Sequence, residues 1–419
     1  MLEYSPMLFE EFEHYDMEML PKRPKLRLLA YLIALFSWLP HKGSIQKIGM
    51  KGIKPPFLLL GNHNAFMDIN VLSLAMYPYP TNYIIAIDGF IGRETFLRHI
   101  GGVCKRKFTT DTTLIKQIEY CIKKKRVVAM FPEARYSLIG TKAIIPTSVA
   151  RLAKHLNVPV VMLEMHGHHI NSPFWNLHDR KVKGLEAKVY PILNVDELQS
   201  LSLDEVNERI QEAFEYDEYA WQKSRHIHVT YEGRAEGLHK VLYKCPNCGK
   251  EYRMNSKGIH LYCEECGKKW EYTELGELQA LEGKTEFPHI PDWYEWERDE
   301  VRKEVEAGTY HFEGEVHVDM LPNAKAFIHL GNGHLVHDMN GFKLTGEFEG
   351  KPYEVVIPAK ATYGVHIEYE YLGKYGDCVD LNTLDNTYYT YPHGRDFAVT
   401  KFSLATEELF KYYTKKNNL

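Results

Sequence analysis

The chain of 419 residues contains no apolar stretch long enough to cross a bilayer as a helix. Its longest run, Leu28 to Leu39, interrupted only by Ser37, would extend ~18 Å at ~1.5 Å per residue, short of the ~30 Å hydrocarbon core. An excess of positive charge is also lacking: 51 Lys and Arg stand against 56 Asp and Glu, a net charge of −5. That balance disfavours nucleic acid as a partner, because phosphate backbones select basic surfaces. Met1 is followed by Glu3, Glu10, Glu11 and Glu13 rather than by a secretory pattern, so a cytoplasmic, reducing compartment is expected. There is no long internal repeat and no low-complexity tract. The 44% hydrophobic and 26% charged content is that of folded domains, and the length allows two or three of them.

Four regions follow from the patterning. Residues 1–50 read as an N-terminal helical arm. Its basic cluster Lys22, Arg23, Lys25 and Arg27 precedes the apolar run, a combination that suits an interfacial anchor on anionic lipid as well as an ordinary core helix. Residues 51–232 alternate short apolar runs (Phe57–Leu60, Tyr83–Ile87, Val127–Phe131, Val158–Leu163) with helical patterns such as Thr112–Lys125 and Thr147–His155. This predicts an α/β domain with a mixed, largely parallel sheet. It is closed by a helix over Asp204–Trp221, with Ser202 and Glu205 as a capping pair. Residues 240–275 carry paired cysteines. Residues 290–419 open on a helix from Pro291 to Gly308 and continue as strands rich in Tyr, Val, Ile and Thr, separated by turn residues. They predict a β-sandwich or barrel with a terminal helix over Thr406–Tyr413.

In the first of two constellations, the run Phe57–Leu60 leads into Gly61-Asn62-His63-Asn64-Ala65-Phe66-Met67-Asp68. On one continuous helix His63 and Asp68 would face apart by ~140°. They meet only if His63 lies in a turn before a helix that begins near Asp68, with Gly61 and Asn62 forming the turn. An Asp accepting one imidazole N–H leaves the other nitrogen free to take a proton from a hydroxyl. The same residues also read as a cap, a surface His and a helix-start Asp. No Ser or Cys nucleophile occupies a suitable elbow, so direct attack by a substrate hydroxyl is the simpler scheme.

Three further segments accompany it: Gly101-Gly102-Val103-Cys104-Lys105-Arg106-Lys107, Phe131-Pro132-Glu133-Ala134-Arg135-Tyr136-Ser137 and Val158-Pro159-Val160-Val161. In this order and spacing the four blocks, over roughly residues 50–225, resemble the PlsC-type glycerolipid acyltransferase family. The resemblance implies that His63 is the general base and Asp68 its orienting partner. It implies that Glu133 binds the acceptor, that a basic residue of the second block grips the acceptor phosphate, and that Val158-Pro159 belongs to acyl-chain binding. The implied reaction transfers a fatty acyl group from acyl-CoA or acyl carrier protein to the hydroxyl of a lysophospholipid such as lysophosphatidic acid, at the cytoplasmic face of a membrane. Two departures stand out. Ala134-Arg135-Tyr136 replaces the usual Gly-Thr-Arg, so Arg135 lies one position early. Lys105, Arg106 and Lys107 are contiguous where the family has one Arg; Arg106 is the expected phosphate ligand because a planar guanidinium pairs phosphate bidentately. Backbone amides around His63 to Ala65 are candidates for stabilising the tetrahedral oxyanion. The changed Glu133 block also supports another reading, a non-catalytic lipid-binding scaffold on a degenerate acyltransferase domain.

In the second constellation, Cys245-Pro246-Asn247-Cys248 and Cys263-Glu264-Glu265-Cys266 are separated by fourteen residues. Two Cys-x2-Cys knuckles at that distance predict a small ribbon around a structural zinc held by Cys245, Cys248, Cys263 and Cys266. Met165-His166-Gly167-His168-His169 reads as lining or loop rather than as a second metal site. The C-terminal region loosely resembles a pleckstrin-homology or GRAM-like module at the level of pattern alone.

Overall fold

The computed structural model describes residues 24–373 and 375–416. Residues 1–23, with Lys22 and Arg23 of the basic cluster, lie outside the described residues. The described chain forms two compact units, one of residues 24–105 and 110–227, the other of 106–109 and 228–416.

The first unit contains, in chain order, α1 (Pro24–Trp38), β1 (Ser44–Lys47), β2 (Phe57–Gly61), α2 (Asp68–Met76), β3 (Thr81–Ala86), α3 (Glu94–Ile100), β4 (Gly102–Lys105), α4 (Thr112–Lys123) and β5 (Val127–Met130). It continues with α5 (Ser148–Leu156), β6 (Val160–His166), α6 (His168–Asn171), β7 (Glu186–Leu193), α7 (Val195–Ser200), α8 (Leu203–Ala213) and α9 (Glu218–Ser224). Its seven-stranded sheet has the order β1-β7-β6-β2-β5-β3-β4. Strands β6, β2, β5, β3 and β4 are mutually parallel, whereas β7 pairs antiparallel with β6 and carries β1 alongside in its own direction. Every residue of β2 is buried, as expected for a central parallel strand covered on both faces. Leu58 and Leu60 share a core with Leu114 and Ile118 of α4, Val149 and Leu152 of α5, and Val206 and Ile210 of α8.

The helix expected over Asp204–Trp221 is two helices. Ser202 and Glu205 do form a capping box for α8, but Asp217 accepts from the Ala220 amide and starts α9 anew. The break frees Tyr216 and Glu218 to turn inward, both toward the site described below.

The second unit holds a four-stranded antiparallel sheet in the order β11-β10-β9-β8, from β8 (Met254–Lys257), β9 (His260–Cys263), β10 (Lys269–Tyr272) and β11 (Leu278–Ala280). Helix α10 (Ile290–Ala307) follows. Then come β12 (His311–Leu321), β13 (Ile328–Asp338), β14 (Gly341–Phe348), β15 (Lys351–Pro358), β16 (His366–Glu368), β17 (Cys378–Asn382), β18 (Thr387–Pro392) and α11 (Val399–Lys416). The described strands from β12 onward form one antiparallel sheet, β15-β14-β13-β12-β18-β17-β16. Gly331 and Gly333 lie inside β13 rather than in a turn between two strands. Gly331 sits at φ +94° opposite the register shift between Val318 and Asp319. A Cβ on Gly333 would come within 2.9 Å of the Thr345 carbonyl oxygen.

Candidate active site and cysteine cluster

The parallel strands of the first unit end on one edge of the sheet, the usual place for a site in an α/β fold. The turn after β2 carries His63, the turn after β5 carries Glu133 and Arg135, and the short helix α6 after β6 opens with His168. His63 lies before α2, and Asp68 is the first residue of that helix. The His63 Nδ1 is 2.9 Å from Asp68 Oδ2. Gly61 is the last residue of β2, and its role is close approach: a Cβ there would meet the Phe131 ring at 2.9 Å. Asn62 does not make the turn either. Its side chain bridges β2 to β6, donating to the Met165 carbonyl and accepting from the Met165 amide, both at 2.8 Å.

Asp68 is completely buried. Its Oδ2 also accepts the amides of Asn64 and Ala65, at 2.6 and 3.0 Å. Those amides are therefore committed to the carboxylate and do not point at an oxyanion, contrary to the sequence-based expectation. Oδ1 lies 2.5 Å from Nδ1 of His168, so this histidine is a partner of the carboxylate rather than lining. Burial pushes the Asp68 carboxyl up, but the hydrogen bonds from His168 and His63 outweigh it and hold the group at about 2. A carboxylate can only accept, so both histidines present Nδ1–H to it. In the neutral ring Nε2 of His63 is then the nitrogen with the lone pair, on a side chain that is 18% exposed.

The segment 131–137 closes over that ring. Phe131 stacks on it at 4.1 Å and 4° between planes, and Tyr136 lies 4.2 Å away. The Ser137 amide donates to the His63 carbonyl at 2.7 Å. Glu133 is buried, and its oxygens meet no donor in good geometry. Burial raises its carboxyl to about 8; the Arg135 charge and the approach of the Ala143 and His63 amides offset this only in part. Arg135 is buried beside it. Ala134 adopts φ +56°, a left-handed conformation that favours glycine, which accounts physically for the glycine usual in this block.

The basic run divides between the units. Lys105 ends β4 in the first unit; burial lowers its ammonium pKa, opposed by Asp111. Arg106 and Lys107 belong to the second unit. The Arg106 guanidinium donates to the carbonyls of Leu384 (3.1 Å), Leu321 (2.9 Å) and Pro322 (2.5 Å) and to the Thr387 hydroxyl (3.0 Å). Lys107 pairs with Asp380 at 3.6 Å and Glu368 at 3.9 Å. The assignment of Arg106 to phosphate is thereby revised: its fork is spent on strand-end carbonyls that have little other recourse.

His166 and His169 flank His168 without joining the Asp68 cluster. Burial disfavours charge on His166, yet Glu164 and Glu218 hold it up at about 9. Burial lowers His169 to about 3.

In the second unit, Cys245, Cys248, Cys263 and Cys266 place their sulfurs within 4.8 Å of one another. The Cys245–Cys266 and Cys248–Cys263 distances are both 3.8 Å, far beyond a disulfide bond of ~2.05 Å. They match the ~3.8 Å edge of a tetrahedron whose centre lies ~2.3 Å from each sulfur. The knuckles repeat each other. The Gly249 amide donates to the Cys245 carbonyl and the Gly267 amide to the Cys263 carbonyl, at 2.9 Å each, with φ +73° and +74° at the two glycines. The four thiols thus fit a tetrahedral metal ion.

Residues 38–165 match the family model described as Acyltransferase. No curated protein matches the chain. Among solved structures, the 1-acyl-sn-glycerophosphate (LPA) acyltransferase PlsC from Thermotoga maritima aligns over 47% of this chain and 83% of its own, at 16% identity and a TM-score of 0.37, a likeness too loose to bear on mechanism. All four sequence blocks fall inside the segment, residues 38–165, that matches this acyltransferase model.

Proposed function

We propose that the first unit transfers a fatty acyl group from a thioester donor, acyl-CoA or acyl carrier protein, to the free hydroxyl of a lysophospholipid, with lysophosphatidic acid giving phosphatidic acid as the leading case. The observation that carries this is the His63–Asp68 contact of 2.9 Å in a site closed by the Glu133 segment. His63 Nε2 takes the hydroxyl proton as the oxygen attacks the thioester carbonyl. The carbon–sulfur bond then breaks, and the imidazolium returns the proton to the departing thiolate. Asp68, ionised at any ordinary pH, holds the Nδ1–H tautomer. Glu133, protonated near neutral pH, can both donate to and accept from acceptor oxygens, and Lys105 is the basic residue of the second block that remains in this unit.

The lipid is met at a membrane surface. Leu28, Leu29, Leu32, Ile33 and Phe36 form one exposed apolar face of α1, with Phe36 69% exposed. Phe66, in the His63 turn itself, is 62% exposed. At 15 residues α1 would run ~22 Å, and among the described residues no helix is long and apolar enough to cross a membrane. Such a face suits burial among headgroups and acyl chains. In the second unit the cysteines hold a structural zinc with no open position for substrate.

The test is an assay of the full chain with radiolabelled palmitoyl-CoA and a panel of lysophosphatidic acid, glycerol 3-phosphate and neutral lysolipids. Radiolabel appearing in phosphatidic acid is the expected result. No transfer to any acceptor, from CoA or carrier-protein donors, would favour the non-catalytic scaffold.

A further inference from the structure

The proton-transfer scheme of His63 and Asp68 leaves one buried side chain unexplained. His168 is fully buried, 100 positions from the carboxylate it touches, and its Nε2 has no hydrogen-bond partner. Its backbone is fixed with unusual care. Gly167 takes φ +85°, and a Cβ there would come within 2.6 Å of Leu185 and 2.8 Å of Trp221. Glu218 Oε2 accepts the amides on either side of His168, from Gly167 at 2.7 Å and His169 at 3.2 Å. The edge of Trp38 packs against the His168 ring at 5.8 Å between centroids. The imidazole is thus held from the chain side and the ring side, with Nδ1 aimed at Asp68 Oδ1.

We propose that His168 is a positioning residue of the acyl-transfer site: its Nδ1–H, given to the far oxygen of Asp68, fixes the carboxylate plane for His63 and divides the charge that His63 would otherwise meet alone. This deepens the reading of His63 as general base and rests on it. Neither oxygen of Asp68 can rotate away, because one is held by His168 and the other by His63 and the amides of Asn64 and Ala65. The other ionisable groups facing Asp68 are Glu133 after β5, which has the Arg135 charge acting on it, His169 on α6, and Tyr216 before α9. Burial keeps Glu133, His169 and Tyr216 uncharged near neutral pH. His168 is therefore the side chain besides His63 that hydrogen-bonds the Asp68 carboxylate directly.

Removing the second donor concentrates charge on the oxygen facing His63, which favours the imidazolium. The acid limb of kcat/KM, which reports loss of the free base, should then move to higher pH. The experiment compares full-length His168→Leu and His168→Asn with wild type, using palmitoyl-CoA and lysophosphatidic acid from pH 5.5 to 9. The Asn amide stands where Nδ1 stands and keeps the bond; Leu keeps the volume alone. The expected result is a limb raised by about one pH unit in the Leu variant, a kcat lowered roughly tenfold at its optimum, and both largely restored in Asn. An unmoved limb in His168→Leu, or equal shifts in Leu and Asn, overturns the proposal. Should the Leu variant fail to fold, His168→Gln, whose amide lies one bond beyond the Nδ1 position, replaces it against Asn with the same reading. His63→Ala in the same assay separates the two levels: activity retained there sinks the general base itself, whereas a dead His63→Ala beside an unshifted His168→Leu sinks only the role of His168. An NMR titration of labelled histidine, with the His63 resonance assigned by its loss in His63→Ala, reads the same shift without turnover; no shift in His168→Leu is again contrary.

Discussion

The cysteine cluster and the His63 cluster gather polar side chains by different means. The four thiols come from two knuckles with fourteen residues between them, each closed by the same turn and the same glycine conformation. The His63 cluster draws on three strand ends, from residue 62 to residue 168, with Glu218 supporting it from a helix further on. A closed tetrahedral site needs four equivalent ligands and nothing else. A proton-transfer site needs one exposed nitrogen backed by groups that are themselves locked, so its supports spread through the fold.

That difference predicts which perturbations unfold and which disable. The largest expected effect is at the cysteines. Cys245→Ser should lose about one zinc per chain by elemental analysis and cost several kcal/mol of stability in its unit, as for other structural sites; a wild-type protein purified free of metal would contradict it. Arg106→Ala comes next. It strips donors from three carbonyls and a hydroxyl, so a loss of roughly 2–3 kcal/mol in denaturant unfolding is expected, at ~1–3 kcal/mol per uncompensated buried polar group with partial relaxation. Lys105→Ala should instead raise KM for a phosphate-bearing acceptor. The reverse pattern, a stable Arg106→Ala with a raised acceptor KM, would return the phosphate grip to Arg106.

Acid stability is a smaller effect. The Asp68 pKa is depressed from 3.8 to about 2, so its contribution is full above pH ~4 and is lost as pH falls through about 2. The shift corresponds to roughly 2 kcal/mol. Asp68→Asn should flatten that part of the stability–pH curve, and a curve identical to wild type would show that the carboxylate is not held as described. Glu133 has the opposite sign. Its folded pKa, raised to about 8, gives stability that is full below 4.5 and lost as pH rises through about 8, and Glu133→Gln should remove that alkaline loss. The smallest effect belongs to Ala134→Gly. Relief of φ +56° should offset the entropy of the added glycine and leave Tm unchanged or raised by a few degrees; a drop of several degrees would mean that Ala134 is not strained.

How much of this was legible in the sequence follows from the same contrast. The thiols, and the meeting of His63 with Asp68, lie within one local segment each, where spacing is enough. Strands β2, β3, β5 and β6 were legible because burial in a parallel sheet leaves unbroken apolar runs, whereas the short β4, Gly102–Lys105, has no such run. Strand β7 was not, since its buried Ala187 and Val189 alternate with Glu186, Lys188 and Tyr190. The role of His168 is not legible, because its partner is 100 residues away and nothing local marks a histidine after a strand. The contacts of Arg106 are hidden for a similar reason: its acceptors lie more than 200 residues on, at strand ends whose spare carbonyls no local pattern reveals. Gly61 and Asn62 gave the right turn for the wrong reason, one making room for Phe131 and the other pinning β6. In the C-terminal part, turn residues inside β13 proved to be a bulge and a close contact.

The most direct test of the account is the rate of phosphatidic acid formation from acyl-CoA and lysophosphatidic acid by His63→Ala beside wild type, with both proteins shown to be equally folded. A general base contributes about 10²–10⁴-fold, so the account predicts a loss of at least about a hundredfold. Equal rates from the two proteins would contradict it.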